Sequence, residues 1–163
     1  MSEKFISERL QLEALSLTQM KQLAADEQNI LKESVLSETV QLAIMHKIEQ
    51  MCAVSEDVHP WLTYWLIKKH GKAKGIGVIG SKFLPDEEGY VEIGYAIAGE
   101  EQGNGYMTEA LEVFLDWLYE FPFCTGARLS IHNDNKPSIQ VAKKCGFWYK
   151  EQKEAYRIYQ YDF

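Results

Sequence analysis

Cysteine is scarce in this chain and poorly placed for chemistry. The three thiols, Cys52, Cys124 and Cys145, are odd in number and follow no metal-ligand spacing. A disulfide scaffold and a zinc ribbon are therefore excluded, and reduced thiols in a cytoplasmic protein are the expectation. Only four prolines occur, and no Pro/Gly/Ser-rich stretch marks a linker. With no internal repeat either, the 163 residues predict one domain spanning 1–163, long enough to bury a sizeable core. Long apolar runs are also missing. None approaches the roughly 20 residues that a membrane-spanning helix needs. The first ten residues are polar, with Glu3 and Glu8 balanced by Lys4 and Arg9, unlike a secretory signal. Runs of Lys and Arg are absent too. The balance of 17 basic against 24 acidic residues gives a net charge of −7, which argues against nucleic acid or an anionic membrane as partner.

Hydrophobic residues at 46% and charged residues at 25% are ordinary for a globular protein, so the informative features are local. The central stretch is residues 90–118. It predicts a strand over 90–98, a tight turn at Gly103, Asn104 and Gly105, and a helix from about Thr108. A glycine turn feeding a helix aims several backbone N–H groups one way, and the helix dipole adds positive character there. Glycine also lets a ligand approach without a Cβ in the way. Thr108 is read as a hydroxyl at the helix start and Glu109 as a first-turn acid. The alternative is a tight loop with no ligand.

Elsewhere, residues 5–15 alternate as a half-buried strand, and Ser16 or Thr18 caps a helix running to about Gln28. A second helix starts after Ser37 with Val40, Ile44, Ile48 and Met51 on its apolar face. His46 on that helix is read as a surface or partly buried histidine rather than a ligand. Residues 62–68 and 76–83 read as a hairpin. Gly75-x-Gly77-x-x-Gly80 matches the dinucleotide fingerprint, but these glycines lie inside a β-branched run with no helix opening on them, so that assignment is rejected. Residues 127–131 form a further strand. Asn135 caps the next helix with Pro137 in its first turn, and Gly146 stops it. Residues 147–150 and 155–161 close as a hairpin.

Several short pieces then fall into a familiar order. They are Glu8-Arg9-Leu10 with Leu12, Gly77-x-Ile79-Gly80, Glu92-Ile93-Gly94-Tyr95, the run from Gly103 to Ala110, Asn135-x-x-Ser138, and Gly146-Phe147. Together, over nearly the full length, they resemble the GNAT superfamily of acetyl-CoA-dependent N-acetyltransferases, most of all the branch that acetylates ribosomal-protein N-termini. The resemblance implies an α/β (α+β) fold: a strongly bent, mostly antiparallel sheet of about six to seven strands with helices on both faces. It implies direct transfer from acetyl-CoA to a primary amine, on a peptide or a small molecule, with no covalent enzyme intermediate and no metal. The alternative is a non-catalytic acyl-CoA sensor or interaction module. A homodimer through the terminal hairpin or a strand edge is left open.

Carried onto this chain, the resemblance places the CoA pyrophosphate on the amides of Gln102, Gly103, Asn104, Gly105 and Tyr106, with Met107 and Thr108 completing the turn. Pantetheine lies along Tyr95, Ala96 and Ile97. Asn135 and Ser138 touch CoA, and Lys143 or Lys144 meets the adenosine phosphate. Glu92 is the candidate general base, because an ammonium with a pKa of about 10 needs help to lose its proton at neutral pH. Ser138 is the candidate group for protonating the departing thiolate, with Tyr106, Tyr149, His132 and Cys124 as lesser substitutes. A strand N–H near Tyr95 or Ala96 polarises the carbonyl. Two departures stand out. Glu100 replaces the usual Gln or Arg before the turn, and Ala142 replaces a tyrosine acid. The acidic balance favours a cationic acceptor.

Overall fold

A computed structural model describes residues 3–27 and 30–163. The chain runs β1 (Lys4–Ile6), β2 (Leu10–Ala14), α1 (Leu17–Ala24), α2 (Glu38–Cys52), β3 (Trp65–Lys69), β4 (Gly77–Ser81), β5 (Tyr90–Ile97), α3 (Tyr106–Tyr119), β6 (Gly126–His132), α4 (Lys136–Lys144), β7 (Trp148–Lys153) and β8 (Tyr156–Asp162). The eight strands form one sheet in the order β1-β2-β3-β4-β5-β6-β8-β7. Every neighbouring pair is antiparallel except β5 and β6.

Local chemistry sets most boundaries. Ser16 caps α1 through a reciprocal capping box with Gln19, and Ser37 caps α2 by accepting from the Val40 N–H. Helix α1 ends at Ala24, earlier than expected, where Asp26 takes a positive φ of 56°; the expected end at Gln28 lies outside the described residues. The expected first strand is in fact a hairpin. Its turn is closed by the Ser7 N–H donating to the Leu10 carbonyl at 2.8 Å, so β1 folds back on β2 and the sheet has eight strands rather than six or seven. Pro60 stands in a short 3-10 turn, Glu56–Trp61.

Helices cover both faces. Trp65, Ile79 and Tyr95 stand opposite one another across β3, β4 and β5 and therefore share a face. Trp65 is fully buried there against Phe114 and Trp117 of α3, with ring centroids 5.9 and 4.9 Å away. Gly80 and Gly94 pair on the opposite face. There α2 presents Lys47, whose Nζ donates to the carbonyls of Leu62 and Ser81. Among the described residues no helix is long and apolar enough to cross a membrane.

Candidate active site

Strand β5 is paired with β4 from Glu92 to Ile97 along one edge, but on the other edge only at its start. Its parallel ladder to β6 has three rungs, Tyr90–Gly126, Val91–Ala127 and Glu92–Arg128, and then stops. The Glu92 carbonyl accepts from the Lys82 N–H, and the Ala98 N–H donates to the Ile76 carbonyl. Even-numbered residues therefore bond toward β4. By the alternation of an antiparallel ladder, the backbone groups of Ile93, Tyr95 and Ile97 face the widening gap toward β6.

The gap opens into a groove of about 280 Å³ between β5, the start of α3 and α4. Of the residues named from the sequence for the cofactor, all line this groove except Asn104 and Lys143. Lys144 lines it instead of Lys143, as do Pro137, Gln140 and Val141. Asn104 folds back, its side-chain amide donating to the Glu101 carbonyl at 3.1 Å. Gly103 and Gly105 take φ of 83° and 78°, which a side chain would strain. Helix α3 starts at Tyr106, two residues before the expected point, with Gly105 as an N-cap that supplies no side chain. Thr108 is thus within the first turn rather than at its cap. The Glu109 N–H is the first to reach a helical acceptor, the Gly105 carbonyl at 3.1 Å. The Gln102 amide, expected to hold phosphate, instead donates to the Gly99 carbonyl at 3.3 Å, so the N–H groups left for a ligand begin at Gly103.

At the inner end, the Tyr95 hydroxyl and Ser138 Oγ are 2.6 Å apart. Asn135 fixes Ser138 by accepting from its N–H at 3.2 Å, the N-cap bond of α4. Burial pushes the Tyr95 phenol up to about 12, against the opposing effect of its bond to Ser138. It therefore stays protonated at neutral pH and can donate. Cys145, packed against the Thr108 carbonyl, is likewise raised to about 12 by burial and is no thiolate nucleophile.

Glu92 does not line this groove. It lies on the α2 face of β5, where its carboxylate meets Lys82 Nζ at 2.6 Å. The acids before the turn are also paired. Glu101 meets Lys69 at 2.8 Å and Lys32 at 3.2 Å, and Glu100 meets Ser34 at 3.1 Å and Lys32 at 3.7 Å. Lys69 and Lys32 thus offset their negative charge, although Glu101 itself lines the groove. Arg9 also reaches it, donating to the Asn104 carbonyl at 2.8 Å, stacking 4.5 Å from the Tyr106 ring, and pairing with Glu109 at 2.7 Å. The Glu8-Arg9-Leu10 motif by itself assigns Arg9 no such task. Lys32 and Lys69 carry no local signal at all.

Lys69 first, and then Lys32, hold the Glu101 carboxyl below the usual range. A depressed folded value means that the pair stabilises the fold above the unfolded carboxylate pKa of about 4.3, and that this is lost as pH falls through the folded value. Glu101→Gln should therefore melt below the wild type at pH 7, with the difference closing in melts toward pH 3. A gap independent of pH would mean that the ion pairs contribute nothing.

Residues 9–148 match the acetyltransferase (GNAT) domain family. The chain belongs to the GNAT family. A relative in Bacillus subtilis (strain 168), described as an uncharacterized N-acetyltransferase YjdG, is 27% identical over 97 residues, which is 60% of this chain and 58% of that protein. This chain therefore matches little more than half the length of that curated relative. Among solved structures, the ribosomal-protein-S5-alanine acetyltransferase of Vibrio fischeri superposes with a TM-score of 0.73 at 16% identity, covering 98% of this chain and 96% of that one. The ribosomal L7/L12 α-N-protein acetyltransferase RimL, in complex with coenzyme A, gives 0.69 at 18% identity and 98% of both chains. At such identity these two show the fold, a GNAT fold. Among the described residues, no group of three or more His, Cys, Asp or Glu could hold a metal ion.

Proposed function

We propose that this GNAT chain moves the acetyl group of acetyl-CoA directly to a primary amine. The observation that carries this is the open edge of β5 running into the glycine turn of α3. An extended chain can add there as a strand while a pyrophosphate sits on the turn, and the residues present fit that cofactor. When bound, acetyl-CoA supplies an activated thioester carbonyl. The N–H groups of Gly103 to Thr108 and the α3 dipole hold phosphate. Lys144 supplies a cation on the groove wall, with Lys143 beside it on α4. The N–H of Tyr95, aimed into the gap, polarises a carbonyl placed beside it.

Ser138, backed by the protonated Tyr95, gives a proton to the departing sulfur. Tyr95 thus takes the task left open where Ala142 replaces a tyrosine. Glu92 takes the proton of the incoming ammonium, which displaces Lys82 from its carboxylate. Two of the similar solved structures are named as ribosomal-protein acetyltransferases, but a small amine suits the same chemistry. A second copy pairing on the outer strand β7, whose six residues are all exposed, is compatible with every step.

The test is a thermal-shift titration with acetyl-CoA beside CoA, NAD and ATP. At about 100 times its Kd a ligand adds roughly 2.7 kcal/mol, which raises the melting point by several degrees in a domain of this size. A rise with acetyl-CoA and CoA, but not with NAD or ATP, is expected. No rise at millimolar acetyl-CoA would overturn the assignment.

A further inference from the structure

On the α2 face, a cavity of about 270 Å³ lies among α2, β4 and β5, and its wall includes His46, Lys47, Tyr64, Gly80, Lys82 and Gly94. It lies on the opposite face of β5 from the cofactor groove, since Gly94 lines one and Tyr95 the other. Glu92 borders it through Lys82 rather than lining it. Gly80 and Gly94 give it a floor without side chains. Ligand pockets for drug-sized molecules run to about 300–1,000 Å³, so this one suits a small molecule rather than a peptide segment.

The charges around it are unusual for so acidic a protein. Lys47 is only 4% exposed, yet among the described residues no carboxylate pairs with it. Its Nζ has two carbonyl acceptors, Ser81 at 2.7 Å and Leu62 at 3.2 Å, and the face of Tyr64 at 4.7 Å. A buried ammonium without a counter-ion is costly and is concentrated at functional sites. Lys82 is the second cation, and among the described residues its one ion-pair partner is Glu92. If the acceptor's ammonium takes Glu92, Lys82 is released toward the same cavity. Two lysines then face one space, and among the described residues no carboxylate lines it. His46 is exposed at its mouth.

We infer that the acceptor is a small zwitterion of the amino-acid type, its amine on Glu92 and its carboxylate between Lys47 and Lys82. This rests on the acetyl-transfer assignment and reverses the cationic acceptor suggested by net charge. The chemistry is unchanged: the new N–C bond replaces the C–S bond, Glu92 receives the amine proton, and the sulfur leaves as thiol. Burial first, and then the charge of Lys82, lower Lys47 to about 7. The groups facing it are Lys82 with its partner Glu92, Tyr64 and, on its own helix, His46. An arriving carboxylate opposes both causes, so Lys47 takes up a proton on binding.

The experiment uses the full chain with saturating acetyl-CoA. Alanine and methionine are each compared with their carboxamides, beside spermidine and an alanine-initiated tripeptide. The readouts are free-thiol release and, with CoA in place of acetyl-CoA, the further melting shift that each compound adds. The amino acids are expected to exceed their amides at least tenfold in kcat/KM, mainly through KM. Lys82→Met should bring that ratio near one while leaving the acetyl-CoA shift intact. Calorimetry in two buffers should show proton uptake near pH 7.5 that Lys47→Arg abolishes. Amides, spermidine or the tripeptide acetylated as well as the amino acids would overturn the inference while leaving acetyl transfer standing. So would an acetyl-CoA shift with neither turnover of nor stabilisation by any amino acid. Absence of the acetyl-CoA shift would instead remove the acetyl-transfer assignment on which it rests.

Discussion

Glu92→Gln should lower kcat by about 10² to 10⁴-fold at pH 7 while leaving the acetyl-CoA melting shift unchanged, the range that a positioned general base contributes. The amide keeps the size of the side chain and can still bond Lys82, so the strand has no reason to rearrange. What it loses is the ability to hold a proton. The deficit should shrink as pH rises, because more of the acceptor is then already a free amine and needs no base. Steady-state free-thiol release from pH 6.5 to 9.5 reads this directly. Equal turnover in the variant and the wild type across that range would remove Glu92 from the chemistry. A protein that only senses acyl-CoA has no turnover to lose, so the same assay separates the enzyme from a binding module.

Trp65→Ala should destabilise the fold by about 3–5 kcal/mol, the span for removing a large aromatic from a packed core. Trp65 is fully buried, stacks on Phe5 at 5.7 Å, and meets Phe114 and Trp117 of α3. The ring therefore fastens the helix that opens on the glycine turn to the middle of the sheet. Its indole N–H also donates to the half-buried Pro60 carbonyl at 3.0 Å, and truncation removes that bond as well. At roughly 2–4 °C per kcal/mol for a chain of this size, the melting point should fall by about 6–20 °C. Urea unfolding with an unchanged slope and a lower midpoint would confirm a loss of stability rather than of compactness. A change below 1 kcal/mol would mean that the neighbouring rings close over the space.

What could be read in the sequence was whatever is decided within a few residues. The cap of α4 follows from Asn135, Pro137 and Ser138 alone, and the strand before the glycine turn from its own alternation. The β1–β2 hairpin escaped notice because its turn, residues 7–9, contains no glycine or proline to announce it. The true start of α3 escaped because Gly105 caps with its backbone and leaves no polar side-chain signature. The ion pairs of Glu101 reach 32 and 69 residues along the chain, to Lys69 and Lys32, and no window on the sequence spans that distance. The same holds for Lys47. A lysine on an amphipathic helix reads as solvent-facing, and only the placement of α2 over two paired glycines turns it inward.

The brevity of the β5–β6 ladder also bears on mechanics. Three rungs, the crossover through α3, the docking of α4 and bonds near the start of β5 such as Arg128 to Asp86 and Tyr90 to Asp162 join the β1–β5 half of the sheet to the β6–β8 half. A strand-like ligand in the gap would act as a splint across that seam, adding rungs where the protein's own chain supplies none. Affinity for the cofactor and stiffness of the whole sheet are then two measures of one quantity. A substitution that loosens the seam, far from any ligand atom, would weaken both together.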